Sequence, residues 1–206
     1  MSDLFDINSK FFAFLIRILD LVILNILFIL CCLPIITIGA SFTALYTITL
    51  RMIRNEDNYI VKDFCKSFKE NFYQSTVIWI IALSFIIMFY LSLRALPLVS
   101  NILILSLFII GFFTFSCILS YVFPITARFY NNIITILKNS LLMAFSNIPL
   151  TIPIVILNTL PIICLTIDMR VFAAYASIAT IIGFSLTAFI NSYILEFIFK
   201  KYIPAQ

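Results

Sequence analysis

What most constrains this chain is its apolar runs. Stretches of roughly 18–25 residues with almost no charge recur along it, the length a helix needs to cross about 30 Å of hydrocarbon. Of its 206 residues 64% are hydrophobic and only 11% charged, where a soluble domain has about half its residues apolar and about a quarter charged. The reading is an all-α fold: a polytopic transmembrane helical bundle, about six crossings, forming one integral membrane domain over residues 1–206. The first ten residues carry Asp3, Asp6 and Lys10, and the run from Leu21 continues past signal-peptide length without a small-residue cleavage site, so no cleavable leader is expected.

The first apolar stretch, residues 18–53, is too long for one crossing at 1.5 Å per residue. Pro34 and Gly39 interrupt it. A helix-interior proline lacks a donor and clashes with the preceding turn, and glycine weakens a helix. A break at 33–39 therefore separates a helix near 18–33 from one near 38–53. The second is short enough either to span or to re-enter. Further helices are expected at 75–93, 102–123, 148–167 and 171–199. With six crossings, eleven of the thirteen basic residues fall on one side, and only Arg94 and Arg170 on the other. By the positive-inside bias that side is cytoplasmic and holds both termini.

Residues 59–73 carry the clearest amphipathic pattern. Ile60, Val61, Phe64, Cys65, Phe68 and Phe72 fall on one helical arc, with Lys62, Lys66 and Lys69 opposite. The pattern predicts a short cytoplasmic helix lying flat at the lipid boundary, its basic face toward anionic headgroups. Phe64, Phe68 and Phe72, flanked by Lys62, Lys66 and Lys69, are the candidate partner-binding residues: aromatics four apart can fill a groove on another protein, or pack on their own bundle. A weaker copy lies in 124–147, where Phe129, Ile133, Leu137, Leu141 and Phe145 share a face and Ser140-Leu141-x3-Phe145 aligns with Ser67-Phe68-x3-Phe72. Together these make a weak internal parallel repeat, about 38–93 and 102–167.

Catalytic chemistry finds little footing. Histidine is absent, so no Ser-His or Cys-His nucleophile pair is available. Asp20, Asp168 and Glu196 sit on separate segments, and Glu56 and Asp57 lie in a turn beside Arg54. No phosphate-binding loop, nucleic-acid motif or zinc-ligand spacing occurs, and neighbouring Cys31 and Cys32 read as packing. No enzyme and no cofactor is expected. Asn25, Ser116, Asn158, Thr187 and Asn191 are polar groups at membrane depth, whose usual role is bonding between helices. Asn25, Asn158 and Asn191 are also the only candidates for a polar path, which an autonomous transporter or channel would need.

Asp20-Leu21, Asn25, Leu33-Pro34-Ile35-Ile36-Thr37-Ile38-Gly39-Ala40, Thr43-Ala44-Leu45-Tyr46 and Asp63-Phe64-x2-Ser67-Phe68-x2-Asn71-Phe72 resemble the YesL-like family of small bacterial integral membrane proteins, a family of unknown function. The resemblance spans the whole chain by length and hydropathy, with its specific motifs in residues 20–72. Members are often encoded beside carbohydrate ABC importers. The resemblance therefore implies an accessory subunit of such an importer in the bacterial plasma membrane, with permease subunits and the lipid bilayer as partners. It supplies no catalytic residue.

Overall fold

The computed structural model describes residues 2–56, 59–95 and 102–202. Eight α-helices follow in order: α1 (Ser2–Cys32), α2 (Ile38–Ile53), α3 (Ile60–Ala95), α4 (Ile102–Arg128), α5 (Ile133–Ser146), α6 (Ile148–Ile167), α7 (Met169–Ile178) and α8 (Phe184–Phe199). A 3₁₀ turn, Ile35–Thr37, precedes α2, and a π-helical segment, Ala179–Gly183, joins α7 to α8. No strand occurs among the described residues. Six stretches are long and apolar enough to cross a membrane: Phe14–Cys32, Ile35–Ile53, Ile60–Ser92, Ile104–Arg128, Ile148–Ile167 and Met169–Phe199. Residues 57, 58 and 96–101, and the side chains of Lys10 and Arg94, lie outside what is described.

The bundle is organised around α2. In its span 61% of the residues are buried inside the protein, against 17–22% in the other five. The sequence explains why this helix tolerates so central a place. Gly39, Ala40, Ser41, Thr43, Ala44 and Thr49 are small and buried, and small residues let helix backbones approach closely where lipid supplies no hydrophobic drive between helices. Hydroxyl pairs then fasten it: Thr43 to Ser75 and Thr47 to Ser67 on α3, and Thr49 to Ser192 on α8, each 2.8 Å.

The expected break is present but shorter, at 33–37, and Gly39 lies inside α2. Pro34 is extended (φ −77°, ψ 121°). The Thr37 hydroxyl donates to the carbonyls of Cys31 (2.6 Å) and Pro34 (2.8 Å), satisfying acceptors that the end of a helix leaves open. Trp79 Nε1 donates to Ile35 O at 2.8 Å, tying the turn to α3.

Two expected boundaries are corrected. Residues 59–73 do not form a helix separate from the third span. From Ile60 to Ala95 the chain is one helix of 36 residues, because neither glycine nor proline interrupts it. Helix α4 runs through Pro124 to Arg128 instead of stopping at Phe123. The buried face of α5 also differs from the expected one. Ile136, Ser140, Met143 and Ala144 are buried, while Leu141 and Phe145 are exposed. Small Ser140 and Ala144 permit close packing that the larger residues would block.

Candidate functional site

Three further polar assemblies link helices of this bundle, and the third borders a cavity. The first lies between α1 and the last span. Asn25 Nδ2 donates to Ala179 O (3.1 Å) and Thr180 O (2.9 Å), and its Oδ1 accepts from the Ser185 amide (3.1 Å). Ser185 Oγ donates in turn to Leu21 O at 2.7 Å. A π-turn widens the helix and disturbs its regular backbone bonding. One fully buried asparagine completes that bonding here, so α1 and the π segment are a matched pair.

The second assembly sits where α2, α4 and α8 end. Glu196 is 4% exposed, with Arg54 at 3.4 Å and Arg128 at 3.7 Å from its carboxylate. Arg54 also binds Glu56, and Arg51 reaches Asp63 (3.6 Å) and Glu56 (3.7 Å). Burial alone would lower the Arg54 pKa, but the hydrogen bond and charge of Glu56 and the charge of Glu196 raise it on balance. The Arg54 hydrogen bond, with the charges of Arg54, Arg51 and Arg128, holds the Glu56 carboxyl below its ordinary value despite partial desolvation. From sequence, Glu196 reads as one of several charges near a helix end. Its two arginine partners lie more than sixty positions away, and no local pattern connects them.

The third assembly is a chain of neutral groups. Asn191 Nδ2 donates to Asn158 Oδ1 (2.8 Å), and Asn158 Nδ2 donates to Ser120 Oγ (2.9 Å). Asn191 Nδ2 also approaches the Tyr46 hydroxyl at 3.4 Å, and Ser120 Oγ donates to Ser116 O at 2.8 Å. Asn191 Oδ1 is buried without a donor. Thus Asn25, Asn158 and Asn191 bond between helices, the usual role of such residues. Thr187 bonds only within its own helix, to Phe184 O.

Beside this chain is a cavity of about 380 Å³ lined from α2, α3, α4, α6, α7 and α8. Its walls are chiefly aromatic, among them Trp79, Phe89, Phe112, Phe115 and Tyr175. Tyr46, Ser120 and Asn158 supply polar atoms, and no charged residue lines it. The volume lies in the range of about 300–1,000 Å³ typical of small-molecule sites. The cavity is partly open to the surroundings of the bundle, since Ile86, Phe112 and Ile162 in its lining are exposed.

The sequence-predicted site residues divide. Lys62, Lys66 and Lys69 are exposed on α3, and Lys66 Nζ lies 4.0 Å from Glu70. Phe64 is fully buried in the core, so it packs on its own bundle and is unavailable to a partner. Phe68 is half-buried and Phe72 is 39% exposed. The three rings form a ladder, with centroids 6.5 Å and 5.6 Å apart. The buried centre of this segment is Phe64 with Ser67, because the Ser67 hydroxyl must reach Thr47. Among the described residues no three of His, Cys, Asp or Glu are grouped to hold a metal ion.

The class these features define is an all-helical bundle with six helices able to span a membrane. Over residues 21–93 the chain is similar to an uncharacterised family described as "Protein of unknown function, DUF624". No curated protein and no solved structure matches it. The matched stretch contains the break at Pro34, all of α2 and most of α3. Within it Gly39, Thr43 and Thr47 seat α2 on α3, the last two through Ser75 and Ser67, and Tyr46 faces Asn191 of α8.

Proposed function

We propose that this chain is a non-enzymatic membrane protein that acts by binding other membrane proteins, as an accessory subunit of a carbohydrate ABC importer. The YesL-like resemblance supplies the class of partner. The observation that carries the reading is the first part of α3. Phe64 and Ser67 root it in the core, while Lys62, Lys66, Lys69 and Tyr73 stand exposed along it. A rooted helix loses little conformational freedom when a partner docks, which favours binding. In this reading both termini and the basic face of α3 are cytoplasmic, and the bilayer is the bacterial plasma membrane.

Retention of permease subunits with the tagged chain in mild detergent, identified by mass spectrometry, tests it. Replacing Lys62, Lys66 and Lys69 together by glutamate should release those subunits while leaving the thermal unfolding of the chain unchanged. Undiminished oligosaccharide uptake after deletion of the gene would overturn the reading.

A second reading, an autonomous transporter of small solutes, is favoured by the cavity beside Asn158. Its test is solute entry into liposomes containing the purified chain alone.

A further inference from the structure

We propose that the aromatic cavity is a binding site for a neutral molecule with a flat, apolar body and one hydroxyl end, of the class of aromatic alcohols. The inference stands apart from the accessory reading, since it concerns a partly open cavity between the helices and not the basic face of α3. Four observations carry it. The cavity has the volume of a ligand site and lies among membrane-spanning helices. Water is a poor filler for it, because a buried water needs two to four polar partners and most of these walls have none. No charged side chain lines it, so an ionic ligand would lose its hydration without a counter-charge. Trp79 and the phenylalanine rings offer faces and edges to a planar body.

The polar end is specified too. Asn158, Ser120 and Tyr46 border the cavity together, where Asn158 Oδ1 accepts one bond, from Asn191, and Ser120 Oγ accepts one, from Asn158. Each of these two oxygens keeps a second lone pair for a further donor. A ligand hydroxyl set against Asn158 and Ser120 would donate into this chain. The wall is also positioned by the π segment: Tyr175 precedes it and Phe184 follows it, and both line the cavity.

Trp79, the single tryptophan of the chain, lines the cavity and reports on it. The purified protein in detergent is titrated with para-bromobenzyl alcohol, whose bromine quenches indole emission on contact. Saturable quenching of Trp79 is expected. Para-bromobenzylammonium should quench only in proportion to its concentration. Para-bromotoluene, lacking the hydroxyl, should bind roughly fivefold more weakly, the worth of about one neutral hydrogen bond. Ser116→Phe fills the same space and should abolish saturation, with unfolding temperature as the check on folding. Thr187→Leu, a smaller filling substitution from α8, serves if the first variant unfolds. Quenching that never saturates, that is equal for alcohol and ammonium, or that survives in a folded filled variant would overturn the proposal.

Discussion

Gly39 shows how little room a residue in this bundle has. A Cβ there would lie 2.4 Å from Ser75 O and 2.6 Å from Trp79 Cβ. The first neighbour is backbone, so the helices themselves must part. Gly39→Val should destabilise the protein by about 1–3 kcal/mol, the usual range for overpacking, read as a lower unfolding temperature in detergent. Glu196 is the electrostatic counterpart. Glu196→Gln leaves Arg54 and Arg128 without their shared carboxylate. Breaking a buried pair costs roughly 3–5 kcal/mol, and since both arginines retain some solvent contact the expected loss is near the lower end. A Gln variant as stable as wild type in chemical unfolding would refute this role. Pro34 was legible as a break because its effect is local, whereas Gly39 lies inside α2. The reason Gly39 must be glycine was not legible, since it depends on Ser75 and Trp79, which approach only when α2 lies on α3.

Among the elements, the π segment and α3 teach most. Its sequence, Ala-Thr-Ile-Ile-Gly, has nothing to separate it from an ordinary apolar helix. The signal is Asn25, more than 150 positions earlier, whose amide caps it. Asn25→Leu should therefore let residues 179–183 tighten toward α-helix or fray, with faster amide exchange at Ser185, which loses its acceptor. Unchanged exchange at Ser185 would argue against the pairing. For α3 the sequence reading found the amphipathic pattern but placed a boundary after Tyr73, because the polar face ends there. Polarity sets where water is and need not end a helix, and no glycine or proline occurs between Ile60 and Pro97 to interrupt this one. The turn between α2 and α3 also carries a pH dependence. With its pKa lowered in the folded state, Glu56 contributes stability above the ordinary carboxylate value of about 4.3. That contribution is lost as pH falls through the depressed folded value. Glu56 is nearly half exposed, so the effect is modest. Glu56→Gln should flatten the acid limb of a stability-against-pH curve and leave stability unchanged with pH near neutrality.

For the molecule as a whole, hydropathy and length predicted six membrane-length apolar segments, and six are present among the described residues. The interior was much less legible. Hydrophobic periodicity says little when both lipid and core are apolar, so α2 looked like any other short span and proved to be the buried centre. Orientation is open to a direct test. Cys65 is exposed on α3, whereas Cys31, Cys32, Cys117 and Cys164 are wholly or partly buried. In the proposed topology a membrane-impermeant maleimide labels Cys65 in inside-out vesicles and not in intact cells, and Cys65→Ser removes the signal. Labelling from outside the cell would reverse the topology. The unbroken course of α3 has a spatial meaning as well. From Lys62 to Phe89 is 27 residues, about 40 Å of helix at 1.5 Å per residue. Such a rod has no glycine or proline to kink it, and it seats against Gly39 and Thr43 of α2. One unbroken element thus joins the exposed lysines to the aromatic wall of the cavity.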